Sequence, residues 1–221
     1  MSAVLELRAH AGEEPVPERS VPSTFVYRAC RRRAAAQRSL DLAIAVLALV
    51  VAVPLLTIAA ILIRLEDGGP VLFRQRRVGQ YGSLFTIYKL RTMRRRDCTD
   101  RPSPASAGDA RITAVGRFLR KTSIDELPQL LNVLRGDMSF IGPRPEMEAI
   151  LRRYEGWQHL RHLIPPGITC IWQTTCRSTI PLDRPEATKL DLDYIRFASP
   201  LLDGALLWRT IVSVVSGRGA F

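Results

Sequence analysis

The chain has 221 residues, enough for one domain of ordinary size with an appended segment, and too few for several independent domains. Its 32 Lys and Arg residues outnumber 21 Asp and Glu residues, and the net charge of +11 favours polyanionic partners such as nucleic acid, anionic lipid or a phosphorylated substrate. Four scattered cysteines predict no disulfide framework, so reduced thiols in a cytoplasmic setting are expected.

The N-terminal part of the chain divides into a tail and an apolar segment. Residues 1–37 are rich in proline and charge and are predicted to form a flexible tail. An uncharged stretch from Leu42 to Ile63 follows, and as a straight helix it is about 33 Å long, enough to cross a hydrocarbon core. Its length and the polar residues before it argue against a cleaved signal peptide. We therefore expect a membrane helix over residues 38–66 and a cytoplasmic catalytic domain over 67–221.

The topology of the apolar segment is open to two interpretations. Pro54 lies in its interior, where the missing N–H and the ring commonly kink a helix. Positive charge is nearly balanced, with Arg28, Arg31, Arg32, Arg33 and Arg38 before the stretch and Arg64, Arg74, Arg76 and Arg77 after it. Near balance favours a bent, re-entrant helix whose two ends face the cytoplasm. The alternative is a plain anchor whose orientation another factor sets.

The remaining elements are predicted in chain order. Two β-rich runs, VLFRQRRVG and SLFTIYKLRTM, are predicted to pair as a hairpin, and residues 97–110 are predicted to form a mobile loop. A helix is expected from Ile124 to Arg135, ending at Gly136. Segments 146–163 and 197–215 are amphipathic and suit either a membrane surface or packing on the core. The fold class is α+β and mostly helical.

Asp125 and Glu126 are the candidate catalytic pair. They begin the predicted helix, where unpaired N–H groups and the helix dipole favour negative charge. A carboxylate there could attack a phosphoryl group or ligate Mg²⁺ if nearby cations neutralise a diphosphate. The structural alternative is a capping box made by Ser123 and Glu126.

Several cations could contact such a diphosphate. Arg144 stands out because Pro143 and Pro145 restrict the backbone on both sides and reduce the entropy lost in presenting its guanidinium. The other candidates are Lys89, Arg91, Arg117, Arg120, Lys121 and Arg177. A zinc site made by His159, His162, Cys170 and Cys176 is a weaker hypothesis, because its spacing is unusual.

These motifs together resemble one known family. The apolar segment with its proline, PVLFRQRRVGQYGSLFTIYKLRTM, GRFLRKTSIDELPQLLNVLRGDMSFIGPRPE, PPGITCIWQ, KLDLDYI and the terminal VSGRGAF occur in order from about residue 38 to residue 221. They are similar to the bacterial sugar transferases, also called monotopic phosphoglycosyl transferases. Several long motifs in the right order make a specific signal.

The resemblance implies an activity and assigns residues to it. Asp125 is implied to attack the β-phosphate of a UDP-sugar, release UMP and lie on Mg²⁺, with Glu126 as its dyad partner. Arg120, Arg144 and Arg177 are implied to lie near the phosphates or the nucleotide, and Lys89 and Arg91 are taken as further substrate-binding residues. Undecaprenyl phosphate is the implied acceptor. Pro54 is implied to break a re-entrant helix in the bacterial inner membrane.

The resemblance also sets expectations about substrate and partners. The closing VSGRGAF resembles members that begin exopolysaccharide or O-antigen synthesis and use UDP-glucose or UDP-galactose. Anionic membrane lipids are expected partners, nucleic acid is not, and a homodimer is allowed. Cys170 and Cys176 occupy positions where the family commonly has glycine, so backbone freedom is lost at both. The competing hypothesis is a catalytically silent, membrane-tethered scaffold of glycan assembly.

Overall fold

The computed structural model describes residues 24–94, 108–175 and 184–216, with the backbone alone for 24–34 and 215. Its first element is a long helix, α1, over Thr24–Asp67. Between Ala35 and Asp67, the most apolar 18-residue stretch of α1 has a mean hydropathy of 3.0, and only 17% of that stretch is buried. Within the described ranges, it is the one helix long and apolar enough to cross a membrane. Pro54 lies inside α1, and the chain is helical on both sides of the proline.

The predicted hairpin is confirmed. Strands β1 (Leu72–Val78) and β2 (Leu84–Leu90) pair antiparallel, with Gln75 opposite Ile87. A 3-10 turn over Gln80–Gly82 joins them. β2 is central to the site because it carries Lys89 and is followed at once by Arg91 and Thr92.

The predicted helix from Ile124 to Arg135 forms in two parts. The first part is a 3-10 helix over Ile124–Gln129. A separate helix, α2 (Ala114–Lys121), precedes it, and the chain between them passes through Ser123. An α-helix, α3 (Leu130–Arg135), then continues and ends at Gly136 as predicted. Gly136 has a φ of 91°, a left-handed conformation that glycine adopts at little cost. Pro128 lies in the 3-10 segment, where it has no N–H to offer an α-helical ladder.

A second, parallel pair of strands was not predicted. β3 (Ser139–Ile141) pairs with β4 (Gly167–Thr169), and both strands have only three residues. The two chains approach closely where Gly142 faces Gly167: a Cβ on Gly167 would lie 2.1 Å from the Gly142 nitrogen. Such short runs give no periodic signal, which explains why the sequence did not reveal them.

The described part of the C-terminal half contains four further α-helices and one 3-10 helix, and it corrects the prediction for segment 146–163. Segment 146–163 forms a short helix, α4 (Glu148–Leu151), and a 3-10 helix over Gly156–Leu163, and not one amphipathic helix. Its Glu146, Arg161 and His162 are buried, and Glu146 and Arg161 form an ion pair inside the fold. The remaining helices are α5 (Ile171–Thr175), α6 (Pro185–Phe197) and α7 (Pro200–Ser216).

Helix α7 buries one side and exposes the other. Leu206 packs in a cluster with Ile141 and Tyr194, and Thr210 Oγ1 lies 2.6 Å from Thr169 Oγ1. The exposed side chains include large apolar ones, namely Leu201, Trp208, Ile211, Val212 and Val214. The amphipathic pattern predicted for 197–215 is therefore present.

Both ends of the apolar part of α1 pack on the rest of the fold. At the beginning, Asp41 Oδ1 accepts the Phe140 N–H at 3.2 Å, and Ala45 packs with Ile87, Val133 and Met138. At the end, Ala59 and Ile63 pack with Leu90 and Leu119. Between these contacts, many side chains on the outer face are exposed: Val46, Leu47, Val50, Val51, Val53, Ile58 and Ile61.

Candidate active site

A strained residue sets the position of the acidic pair. Ser123 has a φ of 56° and a ψ of 16°, a left-handed conformation that a non-glycine residue rarely adopts. It turns the chain so that Ile124–Gln129 starts as a 3-10 helix with Asp125 buried in its first turn. The Ser123 side chain makes no capping hydrogen bond, so the capping-box alternative for Ser123 and Glu126 is wrong.

Glu126 contacts two cations that come from different elements. Lys89 Nζ of β2 donates to Glu126 Oε1 at 2.7 Å, and Arg144 Nη2 lies 3.5 Å from the same oxygen. Burial lowers the pKa of Lys89, and the charge of Glu126 opposes that effect. Burial also acts against the charge of Arg144, but Glu126 and its other neighbours raise its pKa above the ordinary value. The carboxylate thus contacts both Lys89 and Arg144, and its charge favours their protonated forms.

Arg120 completes the positive side of the site. Its Nε donates to Thr92 Oγ1 at 2.9 Å, which fixes the guanidinium against the end of β2. Burial lowers the pKa of Arg120, and the negative charges of Asp125, Asp109 and Glu126 oppose that shift. The structure therefore brings Asp125, Glu126, Lys89, Arg120 and Arg144 into one electrostatically coupled cluster.

Two residues that contact the cluster were not singled out from the sequence. Gln173 of α5 accepts a hydrogen bond from Arg144 Nη1 at 2.7 Å, and Thr92 holds Arg120. Both lie inside the quoted motifs, as the Gln of CIWQ and the Thr of LRTM. A buried threonine or a half-buried glutamine has no special sequence pattern, so only the fold assigns them these partners.

The other predicted site residues lie elsewhere. Arg91 is 3% exposed; its Nη2 is hydrogen-bonded to Asp67 and lies 3.4 Å from the Ile63 carbonyl oxygen, at the end of α1. These contacts support a structural role, and its role in substrate binding stays a prediction. Arg177 lies outside the described residues. Pro54 lies within α1, away from the acidic pair in sequence and among exposed apolar residues.

The carboxylates fit one kind of metal site. Among the described residues, no group of three or more His, Cys, Asp and Glu side chains could hold a metal ion. Mg²⁺ commonly binds through one or two carboxylates and takes its other ligands from substrate phosphates and water. Asp125, next to Glu126, fits this minimal donor set. The zinc hypothesis gains no support from His159, His162 and Cys170, and Cys176 lies outside the described residues.

Cys170 is accommodated without backbone strain. Among the described non-glycine residues, only Tyr81 and Ser123 have a positive φ, so Cys170 does not need the freedom of glycine. Its side chain is buried with Trp172 and Ala187, and burial raises the pKa of its thiol to about 12. The thiol is therefore an inert packing group at neutral pH.

Comparison with known proteins places the chain in a family. The model of the family described as "Bacterial sugar transferase" matches residues 32–217. A UDP-glucose:undecaprenyl-phosphate glucose-1-phosphate transferase of Caulobacter vibrioides is 42% identical over 192 residues, which cover 84% of this chain and 72% of the relative. The exopolysaccharide production protein ExoY of Sinorhizobium fredii is 36% identical over 204 residues, covering 84% of this chain and 88% of the relative.

A longer relative matches over a smaller part of its length. A UDP-N-acetylgalactosamine-undecaprenyl-phosphate N-acetylgalactosaminephosphotransferase of Aeromonas hydrophila is 38% identical over 189 residues, which cover 83% of this chain and only 44% of the relative. The chain thus spans less than half of that protein. The family match nevertheless covers α1 from residue 32 onward, the hairpin and the whole acidic and basic cluster. This chain belongs to the bacterial sugar transferase family.

Proposed function

We propose that the protein transfers a sugar 1-phosphate from a UDP-sugar to undecaprenyl phosphate through a covalent intermediate on Asp125. The observation that carries this proposal is the buried carboxylate of Asp125 in a cluster with Glu126, Lys89, Arg120 and Arg144. A nucleophilic carboxylate next to fixed cations is the arrangement that attack on a diphosphate needs.

In the first step, an Asp125 carboxylate oxygen attacks the β-phosphorus of the donor. A new oxygen–phosphorus bond forms on Asp125, and the bond between the β-phosphorus and the bridging oxygen breaks. UMP leaves with that oxygen, and the sugar phosphate stays on the enzyme as an acyl phosphate. In this scheme Asp125 reacts as the carboxylate, so no proton leaves the nucleophile.

In the second step, an oxygen of the lipid phosphate attacks the same phosphorus. The bond from Asp125 breaks and restores the carboxylate, and the product is a polyprenyl diphosphate sugar. Both steps transfer a phosphoryl group through a transition state whose charge is spread over oxygens. Lys89, Arg120 and Arg144 are placed to stabilise this charge, and Arg177 is proposed to contact the nucleotide.

Mg²⁺ is proposed as the cofactor, with Asp125 as its protein ligand. When bound, it supplies positive charge to the phosphate oxygens. Glu126 orients Lys89 and Arg144 through its contacts at 2.7 and 3.5 Å. In this proposal Asp125 binds the metal ion, and Glu126 orients the two cations.

The packing of α1 supports our proposal for the membrane arrangement. A helix that crosses the bilayer would carry its two ends to opposite sides. Asp41 and Ala45 near one end and Ile63 and Asp67 at the other contact the same catalytic domain. This supports a re-entrant segment with both ends on the cytoplasmic face of the inner membrane, with Pro54 near the turning point.

The helix α7 adds a second membrane contact in this proposal. Its exposed Leu201, Trp208 and Ile211 suit the interface between headgroups and acyl chains. The net charge of +11 favours anionic lipid at the same surface. A soluble donor and a lipid acceptor would then meet at one site.

The substrates are inferred from the named relatives. The Caulobacter vibrioides relative is named for UDP-glucose and undecaprenyl phosphate, and the Sinorhizobium fredii relative for exopolysaccharide production. We therefore propose undecaprenyl phosphate as the acceptor and UDP-glucose or UDP-galactose as the donor, with exopolysaccharide or O-antigen synthesis as the pathway. The Aeromonas hydrophila relative is named for an N-acetylated sugar, so the donor panel must include one.

The test is UMP release by the purified protein with Mg²⁺, undecaprenyl phosphate and a panel of UDP-sugars. We expect release with one donor, loss of release on chelation, and loss in Asp125→Asn. The matched control is Asp193→Asn, which changes an exposed carboxylate on α6 and should keep wild-type activity. Trapping of a labelled phosphosugar on wild-type protein but not on Asp125→Asn would support the covalent step. A fully active Asp125→Asn protein would contradict it, and activity absent with every donor would favour a scaffold.

A further inference from the structure

The loop that carries Arg144 is held at each of four successive carbonyl groups. Gly167 N–H donates to the Pro143 oxygen at 2.9 Å, and Arg161 Nη2 donates to the Arg144 oxygen at 2.9 Å. Arg77 Nη1 donates to the Pro145 oxygen at 3.3 Å, and Val78 N–H donates to the Glu146 oxygen at 2.9 Å. The backbone of residues 143–146 is therefore fixed from β4, β1 and the 3-10 helix that carries Arg161.

Arg161 makes the most contacts of these four donors and is almost completely buried. Its side chain is 1% exposed, and Nη1 donates to Tyr154 Oη at 2.5 Å and to Glu146 Oε1 at 3.2 Å. Nη2 also forms an ion pair with Asp191 Oδ2 at 2.6 Å. One guanidinium thus joins the Arg144 carbonyl, the Glu146 side chain and helix α6.

Burial of this cation has an electrostatic cost that its neighbours offset. Glu146 and Asp191 are 0% and 2% exposed, so two carboxylates surround one guanidinium. Burial acts against the charge of Arg161, yet Asp191 and the other neighbours raise its pKa above the ordinary value. A buried ion network is a weak source of stability, because an apolar core of the same volume would serve as well or better. The arrangement is better explained by the geometry that it imposes on its neighbours.

The fixed backbone ends in a fixed guanidinium. Arg144 Nη1 donates to Gln173 Oε1 at 2.7 Å, and Nη2 lies 3.5 Å from Glu126 Oε1. Because hydrogen bonds hold both the carbonyl and the guanidinium of Arg144, little conformational entropy is left to lose when a phosphate binds.

We propose that Arg161 is a positioning residue, which acts on the reaction by holding the Arg144 carbonyl and thereby the Arg144 guanidinium at the acidic pair. This inference rests on the proposed phosphosugar transfer, in which Arg144 stabilises the transferring phosphate. Arg161 itself is too deeply buried to touch either substrate.

The first test measures the loop without any substrate. In Arg161→Lys the charge is kept, but a single ammonium cannot reach the Arg144 oxygen, Tyr154 and Asp191 in the same geometry. Hydrogen exchange of the Val78 and Gly167 amides, which donate to the loop, is expected to accelerate at least about tenfold as the loop loosens. The Tyr88 amide, which donates to Asn132 Oδ1 at 3.2 Å, serves as the internal control and should keep its protection.

The second test separates positioning from general destabilisation by a double-mutant cycle. Arg161→Lys should lower kcat/KM about 10- to 100-fold in the wild-type background, and much less in an Arg144→Met background. Tyr154→Phe removes one hydroxyl from the network and should give a smaller loss, also dependent on Arg144. The matched control is Arg38→Lys, which removes guanidinium contacts with the Val133 and Leu134 carbonyls away from the acidic pair. Its effect on kcat/KM should be the same in both backgrounds.

Defined outcomes overturn the inference. Equal losses from Arg161→Lys with and without Arg144, or unchanged exchange at Val78 and Gly167, would exclude a positioning role. Absence of UMP release by the wild-type protein would instead remove the proposed function, and the exchange experiment would still decide whether Arg161 holds the loop. The two failures can therefore be told apart.

Discussion

Lys89 and Glu126 form an ion pair, with Nζ and Oε1 2.7 Å apart, between residues that are 37 positions apart in the sequence. The pair joins the end of the hairpin to the 3-10 helix that carries Asp125. Burial lowers the pKa of Lys89, and the charge of Glu126 opposes that shift. The pair also makes Glu126 the residue on which two cations of the site depend.

Replacement of Glu126 by Gln is therefore expected to weaken the positive side of the site. Without the Glu126 charge, Asp125 alone still opposes the effect of burial, so the pKa of Lys89 falls further. We expect kcat/KM to fall by about 10- to 100-fold, and the alkaline limb of the pH profile to move to lower pH. UMP release measured from pH 6 to pH 10 checks both effects. Glu148→Gln, an exposed change on α4, is the control, and a Glu126→Gln profile that overlays the wild type would contradict this role.

The hydrogen bond between Arg120 and Thr92 predicts a second activity change. Thr92→Val keeps the volume but removes the oxygen that accepts the Arg120 Nε at 2.9 Å. The expected result is a loss of about tenfold in kcat/KM, which corresponds to about 1.4 kcal/mol. Thr92→Ser restores the oxygen and should recover most of the activity. If Val and Ser variants behave alike, the hydrogen bond does not orient Arg120.

Gly116 packs against the backbone of Thr92, and a larger residue there is predicted to lower stability. A Cβ at this position would lie 2.1 Å from the Thr92 carbonyl oxygen, so Gly116→Ala must push helix α2 away from the end of β2. We expect destabilisation by about 1–3 kcal/mol, measured as a lower Tm in detergent. Gly204→Ala on α7 is the matched control, because nothing lies within 4 Å of its added Cβ. There, alanine should be neutral or stabilising by up to about 1 kcal/mol.

His162 predicts a loss of stability in acid. Burial, with the charge of Arg161, lowers the pKa of its imidazole from 6.5 to about 3. The contribution of neutral His162 to the free energy of unfolding is thus complete above pH 6.5 and falls as the pH decreases toward 3. In this range the imidazole binds a proton in the unfolded chain and stays neutral in the folded chain. The slope is at most about 1.4 kcal/mol per pH unit. Tm measured between pH 4 and pH 7 should fall less steeply in His162→Gln, and equal slopes in both proteins would contradict the assignment.

The packing of both ends of α1 predicts a one-sided topology. Single cysteines at the exposed positions Ser39 and Leu65, in a protein without its native cysteines, should both resist a membrane-impermeant thiol reagent added to the periplasm. Both should react once the inner membrane is opened. Pro54→Leu should favour a straight helix and bring one of the two positions to the periplasmic side. Labelling of either position from the periplasm in the protein that retains Pro54 would exclude the re-entrant arrangement.

Several elements could be predicted because their signals are local. Two β-rich runs divided by Gly79, Tyr81 and Gly82 indicated the hairpin. Gly136 marked a helix end where a positive φ favours glycine. The apolar stretch of α1 was visible from composition alone. Asp125 and Glu126 were identified by resemblance to a family motif. Their capping-box alternative failed because Ser123 adopts a left-handed conformation that no spacing rule indicates.

Other features depend on contacts between distant parts of the chain. The sequence by itself determined the family, the apolar helix, the hairpin and the residue types of the site, because each rests on residues that are contiguous in the chain or on motifs in a fixed order. Only the tertiary structure decided that Glu126 joins Lys89 to Arg144, that Thr92 holds Arg120, and that Arg161 lies buried under the Arg144 loop. In the sequence, Arg161 is one more arginine in a segment that resembles a surface helix. Burial between Glu146 and Asp191 changes its role, because a guanidinium removed from water must satisfy its donors within the fold.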